Sequence, residues 1–519
     1  MQQLSVIDTT FLATETPRTP NHLCMTGIYD PSTAPNGRPS FEQILDKLRA
    51  CLPGTTSLRR KLVRVPLDID RPYWVEDPDF DLEFHVRHLA LPKPGDWQQF
   101  RTQVARLHAR PLDLTRPPWE MTVIDGIDAI PGYPEGSFAT VLKVHHAAID
   151  GVSGVELLNL LHDLTPNAVQ VEVPDMWHAE PVPTGRDLLR RAGVNAVSNP
   201  LQAVRMLSAN ASPLVKEMAN SVRGVRRPAR IPRTRFNGRV SAHRVWDEAR
   251  CSLVDLKRVK NLVPGASIND ACLSIIGGAM RSYLLDLNEL PDESLVTIVP
   301  VSTRTPDQAT AGGNQVSGMR VKLNTQLADP VERLAAIRDE TQTKKAAQDG
   351  LAMPVLLEIA QLVPGALIGA AVRGISSIGD RGPVMANTIV TNVPGSQVPL
   401  YLLGCRLALS TGCVPLVDGI GLFHCVTSFC GDFTFMFTAD RDMLPDPTDY
   451  LRHLEQSIAD HIAAVDPPAS AHESAERAPV KSAVASKSAA KSARKSAAKS
   501  AAKSARKSAS KASKAAARR

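Results

Sequence analysis

Phe138-Ala-Thr-Val-Leu-Lys-Val-His145-His146-Ala-Ala-Ile-Asp150-Gly151-Val-Ser-Gly154 is the stretch on which the reading of this chain turns. The largely apolar, β-branched run Phe138 to Val144 predicts a strand. Two adjacent histidines follow, then a turn through Asp150 and Gly151. Beyond it, Val155, Leu157, Leu158, Leu160 and Leu161 predict the apolar face of a helix. Successive strand side chains point to opposite faces, so His145 and His146 cannot do the same job. An imidazole at a strand end, with a carboxylate four residues on, suits a general base that removes a hydroxyl or amine proton. The same residues also suit two structural histidines and an aspartate at a helix start.

Outward from this stretch, other chemistries find no support. Gly151-Val-Ser-Gly154 and Gly374-Ile-Ser-Ser-Ile378 both miss the G-x-S-x-G pattern of a serine hydrolase elbow. Neither a phosphate-binding G-x-x-x-x-G-K-[ST] nor an H-E-x-x-H zinc motif occurs, and Gly312-Gly313-Asn314 opens no dinucleotide fingerprint. Eight scattered cysteines without a C-x-x-C pairing predict reduced thiols and no metal site, even where Cys425 and Cys430 flank His424. A reaction with no covalent nucleophile, metal or redox cofactor fits what remains.

The chain has 519 residues, enough for more than one domain, and its 43% hydrophobic content supplies a sizeable core. Its net charge of +7 is unevenly placed. Residues 481–519 hold 13 of the 60 Lys and Arg and no acid, leaving 47 basic against 53 acidic residues before them, a net of −6. The folded part is therefore mildly acidic, and its charge implies no general affinity for nucleic acid. The N-terminus has neither the basic nor the apolar region of a signal peptide. The most apolar stretch, Ile359 to Val372, is broken by Pro364-Gly365 and too short to span a bilayer.

Domains are expected at 1–180, carrying the His-His stretch, and at 236–465, joined by a helical and Pro-rich connector at 181–235. Residues 1–30 read as irregular. Helices are expected at Phe41–Leu52, Trp97–Ala109, Ser252–Leu262, Ser267–Leu287, Pro330–Ala347 and Thr448–Ala464. Strands are expected within Leu62–Leu91 and at Trp119–Ile124, Arg239–Trp246, Leu295–Val301, Met385–Val393, Cys405–Cys413 and Asp432–Ala439. Residues 466–519 form a Lys/Ala/Ser-rich tail with no large apolar side chain to bury, expected to be disordered alone. Its dense lysines suit an anionic membrane, or nucleic acid, over a purely solubilising role.

His145-His146-Ala147-Ala148-Ile149-Asp150-Gly151 matches the H-H-x-x-x-D-G motif of the chloramphenicol acetyltransferase-like superfamily. Further blocks, in family order from about residue 4 to 464, resemble the bacterial wax ester synthase/diacylglycerol acyltransferases. These are Ser5-Val-Ile-Asp-Thr-Thr-Phe-Leu12 with Thr16-Pro17, Asp113 to Glu120, Asn269-Asp270, Ile298-Val-Pro-Val-Ser-Thr-Arg304, Gly312-Gly-Asn314 and Thr391-Asn-Val-Pro-Gly395. Pro118 replaces the leucine of the family's P-L-W block, and the basic tail lies outside the pattern.

The resemblance implies an α/β (α+β) fold of two chloramphenicol acetyltransferase-like domains, mixed sheets flanked by helices, with an active-site channel at their interface. It implies acyl transfer from fatty acyl-CoA, a substrate and not a cofactor, to diacylglycerol or a long-chain alcohol. His146 would be the general base, His145 its support, Asp150 with Gly151 structural, and Arg304 the cation for Asp150. Asn269 and Asp270 are candidate supporting residues, although Ser267-Ile-Asn-Asp270 also reads as a helix-capping sequence. Thr391-Asn392 reads as a turn before Pro394 or as channel lining, and Trp119 as a core aromatic or pocket wall. Ile359 to Ile378 reads as buried helices or as a surface for membrane or lipid droplet. The expected location is cytoplasmic, peripheral to the inner face of the cell membrane or to lipid droplets. The competing readings are a condensation-type enzyme and an inactive scaffold whose tail binds DNA.

Overall fold

The computed structural model describes residues 1–148, 161–167, 179–209, 231–302, 316–348 and 384–466. Asp150, Gly151, Arg304, Gly312 to Asn314, the apolar stretch 359–378 and the basic tail lie outside the described residues. Among the described residues the strands, numbered in chain order, fall into three sheets. One six-stranded sheet runs β12 (Tyr401–Leu402), β13 (Cys405–Cys413), β2 (His22–Asp30), β7 (Phe138–His145), β6 (Trp119–Asp125) and β5 (Val86–Ala90). The second runs β10 (Val316–Lys322), β9 (Val296–Ser302), β11 (Thr388–Pro394), β14 (Leu422–Phe429), β15 (Asp432–Asp440) and β8 (Arg244–Ser252). A small sheet joins β1 (Gln2–Gln3), β4 (Tyr73–Glu76) and β3 (Arg60–Val63). Both large sheets are mixed: β5 lies parallel to β6, and β11 lies parallel to both β9 and β14.

All eight residues of β7 are buried. Phe138, Leu142 and Val144 point into one core with Trp119 and Leu48, while Ala139 and Val141 point into another with Phe100 and Trp246. A strand covered on both faces loses the alternation of a half-exposed one and reads as a continuous apolar run. In the second half, the largely buried helix Ile268–Asp286 forms the spine of a third core, covered by the helix Pro447–Ala463 and strands β8 and β15. The helix Trp97–Ala109 ties the halves together. Trp97 Nε1 donates to Asp247 (2.8 Å), Trp246 Nε1 donates to the Arg101 carbonyl (2.8 Å), and the Arg101 guanidinium pairs with the fully buried Asp247.

The N-terminus corrects the expectation of irregular chain. Residues Val6–Thr14 form a helix whose N-cap, Ser5, accepts from the Asp8 amide at 3.1 Å. Strand β2 lies at the middle of the first sheet, against β7. Its polar residues His22 and Thr26 are buried, so hydropathy alone hides it. Gly27 sits where a Cβ would meet Leu407 Cδ1 at 2.7 Å, so a side chain there would clash with the neighbouring strand. Strand β13, expected among the second-half strands, pairs instead with β2 and extends the first sheet. Strand β8 overlaps the expected Arg239–Trp246 only from Arg244 on and continues to Ser252, because Asn237 and Asp440 tie residues 234–241 into turns.

Candidate active site

The histidine pair emerges from the end of β7 beneath the N-terminal helix. The His145 amide donates to the Pro118 carbonyl (2.9 Å) and the His146 amide to the Asn21 carbonyl (2.8 Å), so neighbours on both sides clamp the strand end. The Asn21 side-chain amide then donates to the Phe11 carbonyl (2.6 Å) and to Thr14 Oγ1 (2.8 Å), holding the helix over the pair. Leu4, Leu12, Leu62, Trp74 and Ala147 form the apolar cluster that packs this arrangement, with Phe11 and Ala148 against it.

The two rings face different surroundings, as strand alternation requires. His145 is fully buried. Its Nδ1 accepts from the Ala147 amide (3.1 Å), which leaves Nε2 as the ring's N–H donor. That Nε2 faces Glu15 Oε2 at 3.3 Å. His146 is partly buried and stacks on the Phe11 ring, with centroids 4.0 Å apart and planes 24° from parallel. Burial pushes its pKa down to about 4; an interaction with its own backbone opposes that shift, and proximity to His145 adds to it. It is therefore a neutral imidazole throughout the physiological range.

Behind His145 lies a buried polar layer. His22 is its cross-strand partner, and burial lowers the His22 pKa well below the usual value. The His22 and His108 rings meet edge to face at 5.1 Å, with His108 pushed down by burial to about 3. Lys143, two residues before His145, is almost wholly buried, and its ammonium pairs with Glu120 at 3.1 Å and donates to the Arg110 carbonyl at 3.0 Å. A buried cation thus keeps both a counter-charge and hydrogen bonds.

The other candidate residues separate. Asp270 is buried and completes a capping box: its carboxylate accepts from the Ser267 amide (2.8 Å) and from Thr341 Oγ1 (2.8 Å). Asn269, beside it, is partly buried. Trp119 belongs to the core, with Nε1 donating to the Leu58 carbonyl (2.7 Å) and its ring stacked on His85 at 4.7 Å. Thr391 and Asn392 lie within β11, opposite Cys425 and Val426 of β14, and not in a turn; the Pro-Gly signal acts only after Asn392. His424 binds Thr388 Oγ1 (2.9 Å) and Tyr450 Oη (2.7 Å), and burial lowers its pKa to about 3. Sequence reasoning does not find Glu15, Asn21 and Phe11 as site residues. The nearest signal is the pair of blocks, Ser5–Leu12 and Thr16-Pro17, that bracket Glu15, and nothing in the spacing tells which strand end they cover.

Two mixed, helix-flanked six-stranded sheets, with a histidine pair at the end of a central strand, make up the chloramphenicol acetyltransferase-like fold. The chain's fold is similar to that of the wax ester synthase/diacylglycerol acyltransferase of Marinobacter aquaeolei VT8, with a TM-score of 0.65 at 24% identity over 90% of this chain and 100% of that one. It is also similar to the first condensation domain of the CDA synthetase, with a TM-score of 0.55 at 15% identity over 90% and 97%.

Residues 4–272 match the wax ester synthase/diacylglycerol acyltransferase catalytic domain and residues 312–460 match the C-terminal domain of the same group. A Mycobacterium tuberculosis protein with a provisional diacylglycerol O-acyltransferase name is 32% identical over 457 residues, spanning 86% of this chain and 87% of the relative. Another from that organism, named "probable diacylglycerol O-acyltransferase", is 31% identical over 474 residues, spanning 88% and 98%. The chain belongs to the wax ester synthase/diacylglycerol acyltransferase family and is an acyltransferase. Among the described residues, no helix is long and apolar enough to cross a membrane.

Proposed function

We propose that this chain transfers a long acyl group from acyl-CoA to the free hydroxyl of a diacylglycerol, making triacylglycerol, and that long-chain alcohols serve as a second acceptor to give wax esters. The observation that carries this reading is His146: a neutral imidazole at the end of a buried strand, clamped through its backbone and stacked on Phe11. Its Nδ1 is buried. Nε2 is then the nitrogen that takes the acceptor's proton as the hydroxyl oxygen attacks the thioester carbonyl. The C–S bond breaks as the ester forms, and the proton passes from Nε2 to the leaving thiolate of CoA. The ground-state base needs no prior deprotonation at neutral pH, which fits a reaction without a covalent enzyme intermediate.

In this reading His145 is a positioning residue. Its Nε2–H donates to Glu15 and its Nδ1 accepts from the Ala147 amide, fixing the peptide turn that follows His146. By the family resemblance, Asp150 with Gly151 would be structural and Arg304 would be the cation for Asp150; all three lie outside the described residues. Asn269 stands beside a structural Asp270. Acyl chains gain about 0.8 kcal/mol per buried methylene, so the acyl chain needs an apolar channel and the diacylglycerol is drawn from a lipid interface. The basic tail, with the apolar stretch 359–378, would hold the enzyme at an anionic membrane or droplet surface on the cytoplasmic side.

The test is thiol release from palmitoyl-CoA by purified protein, with diolein and hexadecanol supplied separately in detergent. Acceptor-dependent release that is lost in His146→Ala is expected. Release that needs no acceptor, or that survives His146→Ala, overturns the mechanism. Deleting 481–519 is expected to weaken salt-sensitive binding to anionic liposomes while sparing activity on dispersed acceptor.

A further inference from the structure

We propose that the loop tip at Leu67 and the outer face of the helix Gly185–Ala209 up to Val197 form one docking surface for an anionic phospholipid layer. The proposal rests on a lipid acceptor being the substrate. Leu67 is 91% exposed and Ile69 42%. The backbone presents this leucine in an unfavourable way: Leu67 has φ 61° and ψ 14°, and Asp68 follows at φ 51°. Consecutive left-handed residues without glycine are disfavoured, most of all for a branched side chain. A strained turn that holds a leucine in water serves no core.

The helix continues the same surface. Leu189, Val194 and Val197 are 41%, 61% and 69% exposed, while Leu188 and Ala192 on the opposite side pack on Val65, Tyr73 and Val75. Loop and helix are fastened to one another, since Asn195 Nδ2 donates to Asp70 Oδ2 at 2.7 Å and Pro66 packs close to Gly185. Arg64, Arg186, Arg190 and Arg191 are exposed on the same loop and helix, and Arg190 lies beside Val194 and Val197. The nearby acids are fewer and engaged: Asp68 faces Arg64 at 3.6 Å, and Asp187 accepts from the Thr184 amide and hydroxyl. Apolar tips on the same surface as guanidinium groups match a phospholipid layer, with the tips below the headgroups and the arginines on their phosphates. A free soluble anion would leave the leucine and valines without a partner, so the charge and the apolar side chains together select a lipid surface.

The small sheet connects this surface to the chemistry. Tyr73 and Val75 of β4 face the helix, and Trp74, between them in sequence, joins the cluster of Leu62, Ala147 and Leu4 beneath the catalytic turn. The inner side of the docking helix and the His146 turn thus pack on opposite faces of the same strand.

Full-length protein is tested for co-flotation with vesicles of phosphatidylcholine containing roughly 30% phosphatidylglycerol, and with phosphatidylcholine alone, at low and high salt. A triple Leu67→Ser, Val194→Ser, Val197→Ser variant changes only exposed side chains. It is expected to bind anionic vesicles about tenfold more weakly or less, including at high salt where the tail is screened, with unchanged CoA release on detergent-dispersed diolein. An Arg186→Gln, Arg190→Gln, Arg191→Gln variant is expected to lose the preference for phosphatidylglycerol. Vesicle binding by the serine variant equal to that of the parent overturns the docking surface. Absence of CoA release from the parent in detergent overturns the acyltransfer reading instead, and leaves the flotation result interpretable.

Discussion

Phe11→Ala should move the acid limb of the reaction. In the native protein the Phe11 ring covers one face of His146 at 4.0 Å, and burial is the main reason that histidine's pKa lies at about 4. An unperturbed histidine titrates near ~6.5, so burial disfavours the imidazolium by a few kcal/mol, on the order of 3. Removing the ring admits water to one of two faces. Recovering about a third to a half of that shift puts the free-enzyme pKa at roughly 5. The assay is kcat/KM for CoA release from palmitoyl-CoA with dispersed diolein between pH 4 and 8. Aliquots returned to pH 7 separate titration from irreversible unfolding. Native enzyme should hold a flat profile down to about pH 5, and Phe11→Ala should bend about one unit higher, with Phe11→Leu between them. A native limb near 6.5, or a Phe11→Ala profile lowered at every pH without a shift of its limb, would refute the idea that packing on Phe11 keeps the base neutral.

Asp270→Ala removes a capping carboxylate and strands Thr341, so it should cost about 1–3 kcal/mol in urea unfolding while leaving the KM for acyl-CoA within about twofold; a stable but inactive variant would return Asp270 to the catalytic set. Arg101→Ala leaves the fully buried Asp247 without its guanidinium and should cost about 3–5 kcal/mol, read as a drop in the urea midpoint, whereas a loss below 1 kcal/mol would mean that the indole of Trp97 suffices. Acid should destabilise the fold well before carboxylates titrate. His108 and His424 have pKa values lowered to about 3, and His146 and His461 to about 4. Each is lower in the folded state than in the unfolded chain, so the folded state keeps its full stability above about pH 6.5 and loses it as the pH falls towards the folded values. Each costs on the order of 1–2 kcal/mol by pH 5. A urea midpoint that does not move between pH 7 and 5.5 would contradict this.

The physical reasons for what the sequence discloses differ from element to element. Trp97–Ala109 is legible to the residue because a capping box at Asp96 and Gln99 opens it and Pro111 follows its end. Ser267 marks the start of Ile268–Asp286 in the same way, and that local chemistry also accounts for Asp270 without any catalytic role. Strand alternation tells His145 and His146 apart, while the family resemblance alone names His146 as the base. The companions of His146 are not legible. Phe11 and Glu15 come from a threonine-rich N-terminal helix of weak propensity, and they reach the site through β2, whose buried His22 and Thr26 break the hydrophobic pattern. Asn392 misleads in the other direction. Turn chemistry at Pro394-Gly395 suggests a loop, yet pairing with β14 keeps the strand going to Pro394. Local rules report caps and punctuation well, while residues positioned by pairing between distant strands stay hidden.

The seat of β13 beside β2 has a consequence for how the protein is made. While the chain is being synthesised, β2 has β7 on one side and a bare edge on the other until Cys405–Cys413 has been translated. That partner follows roughly 260 residues after β7, a delay of tens of seconds at usual elongation rates. During that interval the nascent chain offers a long, mostly apolar edge to any other strand. The first half therefore cannot be expressed alone as a finished unit, and a chain truncated before residue 413 should depend on chaperones or aggregate.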